Sequence, residues 1–183
     1  MSIGIVVLIS SIVLFNYSKF NDNIAVSTSA QEMSIAVRQA QVYGITVKES
    51  GAGTGNFNYS YGIAFDPISY PTSYFIFVDR NGDKKFGGPD GCGGNASECV
   101  EIINLRNGVR ITSICDGTSC PPGQARKSTI LFTRPNPDPS VYYFDSNGVQ
   151  VNGLTFPTKV QLSSPRGNSM TVTIERTGQI QKS

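Results

Sequence analysis

The chain has 183 residues, enough for one domain with a real core, or one domain plus an anchoring segment. Charged residues are only 15% and the net charge is +2, so no strong field directs it to nucleic acid or acidic ligands. It contains no His and no Trp, so the usual general base and the commonest zinc ligand are missing, and no enzyme is expected.

Ile3 to Phe15 is apolar except for Gly4, Ser10 and Ser11. The run is shorter than the about 20 residues of a bilayer-spanning helix. It has no basic residues ahead of it, and Phe15-Asn16-Tyr17-Ser18 is a poor cleavage site, so it does not read as a secretory signal. From Asn21 to Tyr43 the chain continues in helical register. Val26, Ala30, Met33, Val37 and Ala40 form one stripe of a 3.6-residue period. Ser27, Ser29, Gln31, Ser34, Arg38 and Gln41 lie off it. Gly44 is expected as the residue just past the helix end. With no Pro before Pro67, this predicts one helix of about 40 residues, roughly 60 Å long. Its first half is apolar all round and its second half amphipathic.

Beyond Gly44 the period changes to two. Residues 43–50 predict a short strand, followed by a Gly-rich stretch. In residues 56–65, Phe57, Tyr59, Tyr61 and Ile63 share one face. Residues 72–79 predict a buried strand ending at Asp79. Residues 99–115 predict a hairpin turning at Arg106-Asn107-Gly108. Strands follow at 127–135 and 140–151, the latter turning at Ser146-Asn147-Gly148, and two or three more at 159–183. Pro135-Asn136-Pro137-Asp138-Pro139 reads as a stiff loop. One long helix followed only by strands is an α+β fold, the helix packed on antiparallel sheet.

The four Cys are Cys92, Cys99, Cys115 and Cys120. Their spacings are wider than the tight knuckles of a four-thiolate zinc site, and an even count in a Gly/Pro-rich region reads as two disulfides. Three connectivities are open; the local one, Cys92–Cys99 with Cys115–Cys120, closes the shortest loops. In "DRNGDKKFGGPD", Asp79, Asn81, Asp83 and Asp90 stand where a twelve-residue calcium loop places oxygen ligands. Two positions depart from that pattern: Lys84 replaces the expected Gly, and Asp90 the longer Glu. A plain turn at Asn81-Gly82 accounts for the same residues. No Ser or Cys has a recognisable activating base.

The segment "SIGIVVLISSIVLFNYSKF" resembles the part of a type IV pilin helix that follows the family's hydrophobic entry motif. "AQEMSIAVRQAQVYGITVKES" is similar to the amphipathic half of that helix in GspH/FimT-like minor pilins and pseudopilins. "MTVTIERTGQI" resembles their closing strand pair. The resemblance covers about residues 2–50 and the C-terminus. It implies three parts: 1–20 for membrane anchoring and the filament core, 21–44 for the amphipathic half, and 45–183 for the antiparallel β domain. It further implies a single-pass subunit of the cytoplasmic membrane, its β domain outside. There it joins other pilin or pseudopilin subunits in a type IV pilus or type II secretion-like filament. The family's leader, cleavage-site Gly, methylated Phe and Glu would lie just before Met1, so the opening run reads as the stump of a longer segment. Some FimT-like proteins bind DNA through a Gly-Arg-x-Arg motif. Here that motif falls on Gly178-Gln179-Ile180-Gln181, both arginines replaced. Arg106, Arg110, Arg126, Lys127, Arg134, Arg166 and Arg176 are scattered, so DNA binding is not favoured. The other readings are a surface-binding pilus protein and a membrane-tethered domain with no filament role.

Overall fold

The structure, a computed structural model, describes residues 2–46, 55, 58–94, 97–117, 126–153 and 156–183. Side chains at 2, 3, 5, 6, 8, 9, 12–19 and 137 lie outside the described set. Among the described residues one helix, α1 (Ser2–Ile45), is followed by ten strands. The strands are β1 (Ser60–Phe65), β2 (Ser73–Asp79), β3 (Cys99–Asn104), β4 (Arg110–Cys115), β5 (Lys127–Thr133), β6 (Asn136–Phe144), β7 (Gln150–Val151), β8 (Thr158–Ser163), β9 (Ser169–Ile174) and β10 (Ile180–Lys182). They form two antiparallel sheets, a six-stranded one in the order β3-β2-β1-β5-β6-β7 and a four-stranded one in the order β10-β9-β8-β4. This is an α+β fold in which strand predominates.

The predicted stripe of α1 is its buried face. Val26, Ala30, Met33, Val37 and Ala40 are buried, with Ala25 and Ala36 beside them. They pack on β1 and β5 of the large sheet and on β9 of the small one, so the helix joins both sheets into one core. Ser29, expected off the stripe, is buried too; as a small residue it fits the close helix–sheet contact. Gly44 does not end the helix, which runs on to Ile45. The glycine is there for space: a Cβ at residue 44 would lie 2.5 Å from the Phe132 carbonyl oxygen on β5. Tyr43 to Ile45 are thus helical rather than the start of a strand, and 47–50 lie outside the described residues.

β1 shows the predicted face, with Ile63 in the main core and the Tyr61 ring set edge-on against Tyr43 of α1. Phe57 lies outside the described residues. The opposite face of the large sheet is buried as well. Ala64, Phe75, Phe77, Cys99 and Leu131 form a second cluster there.

The predicted hairpin at 99–115 is not one. The turn chemistry holds: Asn107 (φ 54°) and Gly108 (φ 72°) are both left-handed, and Val109 N–H donates to the Arg106 carbonyl at 3.0 Å. Yet β3 pairs with β2, and β4 pairs with β8 of the other sheet. Val109, just before β4, and Ile111 and Ile114 on it bury with Val160 and Leu162 of β8, and that apolar contact draws the strand across. The proline-rich stretch also differs from expectation. Residues 136–139 belong to β6, whose first half has no strand on its outer side among the described residues, a position that tolerates Pro. The turn at 145–148 and the β9–β10 turn with Gly178 at φ 77° fall where expected. The buried hydroxyls of Tyr143 and Thr158 meet at 2.8 Å and tie the two sheets together.

Candidate functional site

Two features of the structure carry functional information: the solvent face of α1 and the segment 80–98 that covers the large sheet. Among the described side chains of the first half of α1, Gly4, Val7, Ser10, Ser11 and Phe20 are all exposed. The β domain first meets the helix at Asp22, which Arg166 pairs, and buries it from Ala25 on. Beyond that point a second apolar stripe faces away from the domain. Ile24, Ile35 and Val42 are 46%, 60% and 54% exposed, with Phe20 and Ile45 in line with them. At 3.6 residues per turn these five span about 80° of the helix, nearly opposite the buried stripe. Thr28, Gln31 and Arg38 interrupt them. The amphipathic half thus presents apolar side chains on two faces, only one of which is covered. The spacing of Ile24, Ile35 and Val42 was available in the sequence, but periodicity alone does not say which stripe the domain takes.

Segment 80–98 contains the residues of the candidate calcium loop. Asp79 is buried at the end of β2, while Asn81, Asp83 and Asp90 are exposed. Three of the four residues turn one side-chain oxygen to the loop's own backbone. Asp79 Oδ1 accepts from Gly82 N–H at 2.9 Å, Asn81 Oδ1 from Asp83 N–H at 2.9 Å, and Asp83 Oδ1 from Lys85 N–H at 2.8 Å. Lys84 takes a left-handed φ of 67°, the conformation Gly would adopt more readily. Glu98, which the sequence reading passed over, reaches back to the amides of Arg80 and Gly87, both at 3.3 Å. Among the described residues, no group of three or more His, Cys, Asp or Glu converges as a metal site would.

The same segment packs as a cover. The Phe86 ring stacks on Phe75 at 4.7 Å and lies 5.6 Å from Phe77. Thr129 Oγ1 donates to the Lys84 carbonyl at 2.7 Å, and Lys84 Nζ sits 5.0 Å above the Tyr142 ring. A disulfide between Cys92 and Cys99, seven residues apart, anchors the far end to β3. The local pairing is therefore present at Cys92–Cys99. Cys115 is disulfide-bonded as well, and Cys120 lies outside the described residues. Closing so short a loop contributes about 2 kcal/mol through the unfolded chain. The double variant Cys92→Ala with Cys99→Ala is expected to lose about that much in denaturant titration. Proteolytic cleavage should appear first within 80–98, with the sheets still folded.

Burial raises the pKa of Glu98 above its ordinary value; the amides of Gly87, Arg80 and Asn81 oppose the shift and Asp83 adds to it. Asp79 is likewise raised by burial, opposed by the amides of Gly82 and Lys84. The folded state therefore binds these protons more tightly than the unfolded one. Acidification through the window between the ordinary carboxylate values and the raised ones adds stability from these two groups. That contribution fades as the pH rises past the raised values. Melting temperatures between pH 4 and 7 should show wild type gaining on Asp79→Asn/Glu98→Gln as the pH falls; parallel curves would contradict this.

The basic residues do not gather on one element. Lys127 pairs with Asp66 at 2.9 Å and Arg166 with Asp22 at 3.7 Å. Arg106 lies beside α1 and β3, while Arg176 lies with Glu175 at the β9–β10 turn. Among the described residues no helix is long and apolar enough to cross a membrane. Comparison with protein-family models, with curated proteins and with solved structures finds no match to this chain.

Proposed function

We propose that this chain is a structural subunit of a helix-packed filament, a minor pilin or pseudopilin of the GspH/FimT-like kind, rather than an enzyme. The observation that carries this reading is the uncovered apolar stripe Phe20, Ile24, Ile35, Val42 and Ile45 on a helix whose other face holds the β domain. Apolar surface of this extent is favourably removed from water by packing against neighbouring helices of like kind. Full burial of each such side chain contributes about 1.5–3 kcal/mol, enough over five residues to offset much of the cost of association. The apolar sequence from Ile3 to Phe15 would hold the subunit at the membrane before assembly. The antiparallel sheets, joined to the helix through one core, would then lie on the outside of the filament.

The test is fractionation of cells that make the tagged full-length protein. Sheared surface or envelope filaments should contain the chain, and cysteines placed at positions 35 and 42 should cross-link neighbouring subunits. Recovery as a monomer alone, with no cross-link, would sink the proposal.

A further inference from the structure

β3 is an outer strand of the six-stranded sheet. Alternate residues along such a strand direct N–H and C=O away from the sheet. Among the described residues, the sole backbone bond to that side is from Gly93 N–H to the Cys99 carbonyl. The rest of the strand, Val100 to Asn104, has neither Pro nor Lys to blunt it.

Between this edge and α1 runs a groove of about 460 Å³. Ile35, exposed, and Ile103, half-buried on the α1 side of β3, form its apolar walls. Gln39 Nε2 donates to Glu101 Oε2 at 3.1 Å and spans the two walls. Glu32 and Glu101 face the groove, and among the described residues neither is in an ion pair. Arg106 lines the groove beyond Asn104, so the negative potential is concentrated around the two glutamates. Tyr74 also lines it, fully buried, and among the described residues its hydroxyl has no hydrogen-bond partner. Burial first, then Glu32 and Glu101, push that phenol's pKa up and keep it a neutral donor. A buried donor left unpaired costs about 1–3 kcal/mol. An open strand edge, apolar walls and two carboxylates outside any ion pair among the described residues are the complement of one kind of ligand.

We propose that the groove binds an extended basic peptide segment of a partner protein, which adds to β3 as an antiparallel or parallel strand. Backbone hydrogen bonds to Val100–Asn104 hold the segment. One set of its alternating side chains enters the groove: Lys or Arg at Glu32 and Glu101, and an apolar residue between Ile35 and Ile103. The groove shares Ile35 with the filament stripe, but Glu32 and Glu101 lie outside that stripe, so E32Q/E101Q tests the groove separately from assembly.

The test uses the full chain and a phage-displayed library of randomised nine-residue peptides. Enriched peptides should alternate apolar residues with Lys or Arg and exclude Pro. Their affinity, measured by fluorescence polarisation of synthetic copies, should fall at least tenfold in E32Q/E101Q, a variant that keeps the Gln39 contact and the wild-type melting temperature. Bound peptide should slow amide exchange at Val100–Asn104. Absence of enrichment, peptides insensitive to E32Q/E101Q, or unchanged exchange on β3 would each overturn the proposal.

Discussion

Gly44→Ala is expected to lower stability by about 2 kcal/mol, or roughly 4–8 °C in melting temperature for a chain of this length. The sign is the informative part. In an open helix interior the same change would stabilise by about 1 kcal/mol, because Ala is the better helix former. Here the added methyl would meet the Phe132 carbonyl oxygen and Cβ, each at 2.5 Å. Those atoms are on a central strand of the large sheet and cannot rotate away. Either the helix lifts from β5 or the strand shifts. Overpacking of this kind costs about 1–3 kcal/mol, and the immobile neighbour puts it at the upper end, above the propensity gain. Thermal unfolding of the single variant decides the matter: a raised melting temperature would mean that helix and sheet are not sealed at this point.

Replacing the exposed stripe gives the opposite division of effects. The triple variant Ile24→Glu, Ile35→Glu, Val42→Glu is expected to leave the isolated domain as stable as wild type. Surface substitutions of this kind change stability by about 0.5 kcal/mol or less each, and Glu is at least as good a helix former as Ile or Val. Assembly should be lost. Three carboxylates would have to enter an apolar contact without partners, and each unpaired one costs several kcal/mol. Incorporation into filaments at wild-type level, with the variant folded, would remove the stripe from the assembly surface. A matching change on the buried stripe, Met33→Glu, should instead unfold the domain, which separates the roles of the two faces.

Much of this fold is written in short-range pattern. The buried stripe from Val26 to Ala40 is legible because residues three and four apart share a helix face whatever lies beyond them. Most of the strands are legible from their period of two, and the turns at Asn107-Gly108 and Asn147-Gly148 from backbone conformations that Gly and Asn favour. The Cys92–Cys99 pairing belongs to one of three open connectivities, the one its short loop favours.

What the tertiary structure decided involves residues far apart in the chain. Gly44 looks like a helix stop until Phe132 is seen against it. The strands around Asn107-Gly108 look like a hairpin until β8 supplies a better apolar partner for β4. In segment 80–98 the local pattern of Asp and Asn gives no sign that Phe86 covers a second core, which only the fold brings together. Ile24, Ile35 and Val42 are as apolar as the residues that became core, and only the position of the sheets leaves them in solvent. Periodicity determines which side chains share a face. Which face is covered depends on the competition among all apolar surfaces of the chain, and that is settled only when the whole core closes.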